Sequence, residues 1–306
     1  MTDRLMIDEE VRTAVAENRP VVALESTIFS GFGLPEPANR ECLDRCLAAV
    51  RDGGAVPALT VVLDGIARVG VADSEYERVL GADEKLGARD LGPAVAAGIA
   101  AGATTVSASL HLAAAAGIEV FATGGIGGVH RDADRTFDIS HDLLALSRHP
   151  VVTVTAGAKA FLDLPRTVEY LETLGVPVLG LRTDEFPAFW SRTSGVGGLR
   201  RVESVGAAAA AVTAARGLGH AGGIVLAAPI PVEDEIPAHE LAPAITAGLA
   251  EAERQGATAG EVTPIVLAAL AEQTAGRTIP ANLALAENNA VVAAELATVL
   301  TSGRRA

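Results

Sequence analysis

The sequence is poor in aromatic side chains, which make up 3% of its 306 residues. A sizeable core must therefore be built from Ala, Val, Leu and Ile, which dominate the 49% hydrophobic content. Cysteine is nearly absent: Cys42 and Cys46 stand alone. Their i,i+4 spacing is not CxxC and no further ligand-spaced Cys or His joins them, which argues against a disulfide framework and a thiolate metal site. Small core residues in a reducing compartment are expected instead. Positive charge is scarce too, with 24 Lys and Arg against 38 Asp and Glu, a net charge of −14. That balance argues against a nucleic-acid or anionic-membrane surface, and it means that an anionic ligand needs a local basic pocket. No apolar stretch of signal-peptide type follows the acidic N-terminus. The longest uncharged run, 91–118, is broken by Gly, Pro, Thr, Ser and His111. Neither a signal peptide nor a membrane span is expected, and the expected location is cytoplasmic.

What is present is organised around 151–159, Val-Val-Thr-Val-Thr-Ala-Gly-Ala-Lys. The β-branched run has the composition of a buried strand and ends on a lone lysine, Lys159, before a helical pattern over 160–174. A lysine just past a buried strand sits where open α/β sheets bind ligands and where desolvation turns an amine into a nucleophile. A solvent-facing lysine that opens a helix is the alternative. Upstream, the pattern predicts a short amphipathic helix over 1–19 and a buried strand, Val21–Leu24, ending in Glu25-Ser26-Thr27. A carboxylate at such a tip is costly unless paired or used. A helix over 39–52 and a strand over 55–63 follow, with Asp64-Gly65 as a hairpin signal into 66–70. Next come a helix with Tyr76 and Leu80, a polar segment with Lys85, Arg89 and Asp90, helices over 93–101 and 108–116, and strands over 104–106 and 119–122.

The strand at 119–122 runs into Thr123-Gly124-Gly125-Ile126-Gly127-Gly128, where glycines let backbone N–H groups approach an anion, or simply form a tight turn. Asp132, Asp134, Asp138, His141 and Asp142 form either a solvated acidic loop or oxygen ligands for a hard cation. Phe186–Trp190 is the only aromatic cluster, read as core or as a wall or lid over a site. Strands over 176–181 and 223–228 and helices over 205–216, 237–254, 261–275 and 282–300 complete the chain. Asn288-Asn289 inside the last helix suggests buried hydrogen bonding. Strands alternating with helices, without a repeat or a linker, predict an α/β fold: a single three-layer α/β/α domain over 1–306 around a central, mostly parallel sheet. The strand tips then converge on one edge, where Glu25, Lys85, the glycine loop, Asp138–Asp142 and Lys159 together describe lysine-based covalent chemistry on a phosphorylated small molecule.

These stretches also resemble a known family. Val22–Thr27, Phe121–Arg131, Phe137–Ser140 and Ala156–Lys159 look like the signatures of the pseudouridine-5′-phosphate glycosidase, or indigoidine synthase A-like, family. Thr167–Pro177, Phe186–Phe189, Arg192–Ser194 and Asn288–Ala290 extend the resemblance over roughly 20–300. It implies reversible cleavage of the C–C glycosidic bond of pseudouridine 5′-phosphate to uracil and ribose 5-phosphate, a divalent metal, typically Mn²⁺, and a homotrimer. It further implies that Lys159 is the nucleophile, Glu25 the proton donor and Asp138 the metal ligand, with Lys85, Val106, Ser140, Asp142 and Asn289 at substrate-contacting positions. Two rival readings are a Schiff-base lyase or aldolase acting on another sugar phosphate and a non-catalytic small-molecule binding protein. Uracil release separates the first and borohydride trapping the second.

Overall fold

The computed structural model describes residues 4–257 and 262–304. The chain opens with strand β1 (Leu5–Ile7) and helix α1 (Glu9–Ala16), where the pattern predicts one helix from residue 1. Residues 1–3 of that expected helix lie outside the described residues. Leu5–Ile7 pair in parallel with Ala67–Val69, and Asp8 starts the helix by accepting the Glu10 N–H at 2.9 Å. Strand β2 (Val21–Leu24), helix α2 (Ala38–Asp52) and strands β3 (Val56–Leu63) and β4 (Ile66–Val69) follow. Asp64 and Gly65, at φ 53° and 67°, make the hairpin turn between the last two, as the sequence predicts.

Next come α3 (Tyr76–Leu80), β5 (Glu84–Leu86), α4 (Leu91–Ala97), β6 (Ala101–Thr104) and α5 (Val106–Ala115). Here the sequence misleads. Helix α4 stops early because Gly98 caps it in the left-handed region at φ 68°. The β-branched triplet 104–106 reads as a strand, yet the strand is Ala101–Thr104, because Ala101–Ala103 pair antiparallel with Val61–Leu63. Val106 therefore opens a helix. Glu84-Lys85-Leu86 is too polar to read as a strand and becomes one only by pairing with β6.

The remainder comprises β7 (Val120–Ala122), α6 (Ala133–Thr136), α7 (His141–Arg148), β8 (Val152–Thr155), α8 (Leu164–Thr173), β9 (Val178–Leu181), β10 (Arg200–Val202), α9 (Val205–Gly217), β11 (Ile224–Ala227), α10 (Ala238–Arg254), α11 (Val262–Gln273) and α12 (Thr278–Gly303). Residue 261, the expected start of the helix that becomes α11, lies outside the described residues. Helix α8 begins four residues later than its pattern because Asp163 caps it, accepting the Arg166 N–H at 3.0 Å. Lys159 consequently sits in a turn and not on a helix, its carbonyl accepting the Leu162 N–H at 3.0 Å.

One eleven-stranded sheet runs β1-β4-β3-β2-β7-β8-β11-β9-β10, with β6 paired to β3 and β5. From β3 to β10 the pairs along this path are parallel. Helix α12 packs on β2, β7 and β8 with α2 and α9 beside it, while α5 and α7 cover the opposite face. Coverage on both faces is why β2, β3, β8 and β11 are buried at every position and read as continuous apolar runs. Helix α12 is long and apolar enough to cross a membrane by length and composition, yet 56% of its most apolar window is buried inside the protein, as befits a core helix. Cys42 and Cys46 are free and buried, as expected.

Candidate active site

The carboxyl ends of β2, β7 and β8 lie side by side, and the loops leaving them surround a cavity of about 350 Å³. Glu25, Lys85, Val106, Asp138, Ser140, Asp142 and Lys159 all line it. Residues scattered over more than 130 positions meet there because the parallel strands β2, β7 and β8 deliver their tips to one edge, while β6, antiparallel to β3, brings Val106 and the β5 residue Lys85.

Glu25 follows β2 and is 8% exposed. Thr123 Oγ1, at the end of β7, donates a short hydrogen bond to its Oε1. Burial pushes the carboxyl up to about 7, helped by the Asp142 charge and opposed by the Thr123 hydrogen bond and the charges of Lys159 and Lys85. On β5, burial and the charge of Lys159 bring the Lys85 amine down to about 8, against the pull of Asp142 and Glu25. Burial, moderated by neighbouring charges of both signs, thus brings an acid and an amine to titrate near neutrality in one pocket, as acid–base chemistry requires.

Asp142 ties the pocket together. Its Oδ1 accepts the Ser107 N–H at the start of α5, and its Oδ2 accepts the Gly127 N–H, each at 2.9 Å. Ser140 Oγ caps α7 by accepting the Asp142 N–H at 3.2 Å. The glycine run is explained in part by this arrangement. A Cβ on Gly127 would collide with the Ser140 side chain and come within 2.8 Å of Asp142 Oδ2. Gly127→Ala is therefore expected to destabilise the protein by about 1–3 kcal/mol and to disturb the cavity wall. A urea midpoint unchanged from wild type would contradict this.

Asn289 is placed differently from the other candidates. It is fully buried behind the glycine loop, where its Nδ2 donates to the Thr123 carbonyl at 2.8 Å and the Gly124 carbonyl at 3.3 Å. The buried hydrogen bonding expected of this asparagine is present, but it supports the loop that carries Thr123. The asparagine on the cavity wall is Asn282, seven residues earlier on the same helix. Its signal was available: an amide in an apolar helix, two turns before Asn289 and close to the same face. Thr123 and Ser107 also escaped residue-level reading, because their roles depend on partners distant in sequence. Phe189 lines the cavity, so the aromatic cluster forms part of its wall.

Among the described residues no three His, Cys, Asp or Glu side chains converge as a ready metal cage. Asp138 lines the cavity, with Oδ2 at 3.5 Å from His130 Nδ1. One accessible carboxylate fits a hard cation that keeps most of its water, as Mg²⁺ and Mn²⁺ do, and does not fit a closed all-protein site.

A buried acid and lysine amines, gathered at the carboxyl edge of a parallel sheet covered on both faces, define an α/β enzyme with an acid–amine centre. Residues 10–299 match the family described as indigoidine synthase A like protein, and the chain belongs to that family. A pseudouridine-5′-phosphate glycosidase of Solibacter usitatus is 51% identical over 298 residues, covering 97% of this chain and 99% of the relative. One from Methylobacterium nodulans is 50% identical over 297 residues, covering 96% and 88%. Among solved structures, the prealnumycin C-glycosynthase AlnA in complex with ribulose 5-phosphate matches with a TM-score of 0.90 and 38% identity, over 100% of this chain and 99% of that one. An indigoidine synthase A-like protein of Thermotoga maritima matches with a TM-score of 0.87 and 36% identity, over 97% of each chain.

Proposed function

We propose that this chain is a pseudouridine-5′-phosphate glycosidase that reversibly cleaves the C–C glycosidic bond of its substrate to uracil and ribose 5-phosphate through a lysine Schiff base. The observation that carries this reading is the buried Glu25 carboxyl, raised to about 7 and sharing one cavity with Lys159, in a chain about half identical to proteins of that name.

A C–C glycosidic bond has no leaving oxygen to protonate, so a pair of carboxylates working on an ordinary glycoside offers no route. An amine does. Lys159 Nζ attacks C1′ while Glu25 gives a proton to O4′, which opens the ribose ring. The C1′–C5 bond then breaks. Its electron pair goes to the uracil ring, which takes a proton at C5, and the nitrogen lone pair forms the C=N bond of a protonated Schiff base. Water adds to that carbon, the amine leaves, and ribose 5-phosphate is released.

In this reading Lys85 and the first turn of α5, where Val106 sits, hold the 5′-phosphate. A phosphate there favours the charged form of Lys85, reversing the effect of burial. Ser140 and Asp142 shape the ribose side of the pocket. Asp138 would hold a divalent cation, Mn²⁺ being the one implied by the family, and such an ion would orient substrate and water by its charge. The homotrimer implied by the family and the cytoplasmic location expected from the sequence belong to the same proposal.

The test is uracil release from pseudouridine 5′-phosphate. Wild type is expected to release uracil, to lose most of that activity in excess EDTA, and to regain it with added Mn²⁺. Turnover that ignores EDTA in both wild type and Asp138→Ala would remove the metal from the proposal. Absence of uracil release together with borohydride trapping by another sugar phosphate would transfer the reading to a Schiff-base lyase. With neither turnover nor trapping, a binding protein would remain.

A further inference from the structure

The chain has a single tryptophan, Trp190, and it is fully buried. It stands edge to face against Phe189, with ring centroids 4.7 Å apart and planes at 74°. Phe189 lines the cavity and Trp190 lies behind it. The Trp190 indole Nε1–H donates to Asn282 Oδ1 at 2.7 Å. Asn282 is 7% exposed and lines the same cavity. An asparagine amide can usually present either end to a ligand, because its two ends are nearly equal in shape. Here it cannot, because an indole has a donor and no acceptor, so only Oδ1 can face it. The end left for the cavity is Nδ2, with its two N–H donors.

We propose that Trp190 is a positioning residue that fixes Asn282 as a hydrogen-bond donor to an acceptor oxygen of the ligand, either a carbonyl oxygen of the base or an oxygen of the sugar phosphate. The identity of the ligand rests on the function proposed above; the orientation of the amide does not. An amide turned the other way would set Nδ2 against Nε1–H, two donors facing each other in a buried space. The arrangement thus selects ligands that accept at this point and disfavours those that donate. It also gives the aromatic cluster a part in recognition beyond filling the core.

Trp190→Phe keeps an aromatic ring in the buried site and removes the N–H. The variant is expected to raise Kd about tenfold for whichever of uracil or ribose 5-phosphate contacts Asn282, the equivalent of one ordinary hydrogen bond, and to leave the other ligand within about twofold. The same ligand should shift the single indole N–H resonance of the wild type, which identifies the source of the oxygen. In an Asn282→Ala background, Trp190→Phe should cost nothing more. Asn282→Asp keeps an acceptor for the indole but offers an oxygen to the cavity. It should retain the indole resonance and lose the ligand as Asn282→Ala does, and it carries the test alone if Trp190→Phe fails to fold.

Equal weakening of both ligands, or the same loss with and without Asn282, would reduce Trp190 to ring packing and overturn the proposal. So would an Asn282→Asp variant that binds as wild type. If these variants bind normally while wild type releases uracil, this inference alone falls. If wild type neither turns over nor binds either ligand, the functional reading fails and the inference falls with it.

Discussion

Lys159→Ala is expected to lower uracil release by about 10⁴- to 10⁶-fold, the scale seen when a covalent nucleophile is removed from an enzyme whose binding site is left standing. The loss should fall on kcat, with substrate affinity nearly retained, because Lys85 and the first turn of α5 are untouched. Wild type treated with borohydride in the presence of substrate should gain the mass of a reduced ribose 5-phosphate adduct on Lys159, and the variant should gain none. The geometry makes this a local test. Lys159 sits in the turn between β8 and α8, its carbonyl hydrogen-bonded to the Leu162 N–H, so the backbone there does not depend on its side chain. Residual activity within about a hundredfold of wild type would mean that Lys159 is not the nucleophile, and Lys85 would be the next amine to remove.

Glu25→Gln should separate activity from stability. Loss of the proton donor is expected to cost about 10²- to 10⁴-fold in kcat. In wild type, kcat/KM should fall as pH rises through about 7, where the carboxyl gives up its proton. Stability follows the same group with a definite sign. The folded carboxyl titrates near 7 and its ordinary value is 4.5, so between those pH values the native state holds a proton that the unfolded chain has lost. The contribution is fully present below pH 4.5 and is lost as pH rises through about 7, for a total of about 3 kcal/mol. The glutamine variant has no such group. Its stability relative to wild type should therefore rise by up to about 3 kcal/mol between pH 4.5 and pH 8, as measured by urea unfolding at each pH. A difference that stays flat across this range would show that Glu25 is ionised in the folded protein, and would leave the ring-opening proton without its donor.

The two variants bear on residues that the sequence exposes, and the reason is chemical. Glu25 directly follows one buried strand and Lys159 stands a few residues past another, charged groups whose cost a chain bears for a use. The strands themselves are legible because burial on both faces leaves no alternation to confuse them, and Asp64-Gly65 announces its turn through the left-handed backbone that both residues adopt. Short elements are less legible. The strands Leu5–Ile7, Glu84–Leu86 and Arg200–Val202 have three residues each, too few to set up a period, and they form because a neighbouring strand offers its edge. Val106 is a β-branched residue that opens a helix, because Ala101–Ala103 already occupy the pairing positions on β3.

The sequence by itself determined the class of fold, the strand-tip origin of the acid and the amine, and the family with its signature stretches. These depend on residue type and local order, which a chain carries with it. Only the tertiary structure decided that Asp142 bridges α5 and the glycine loop, that Thr123 reaches Glu25, and that Asn282 stands on the cavity wall while Asn289 supports it from behind. It also decided how far the Glu25 carboxyl is raised. Each of these depends on groups brought together from distant parts of the chain and on the water they exclude, and neither partner nor burial is a property of a residue alone.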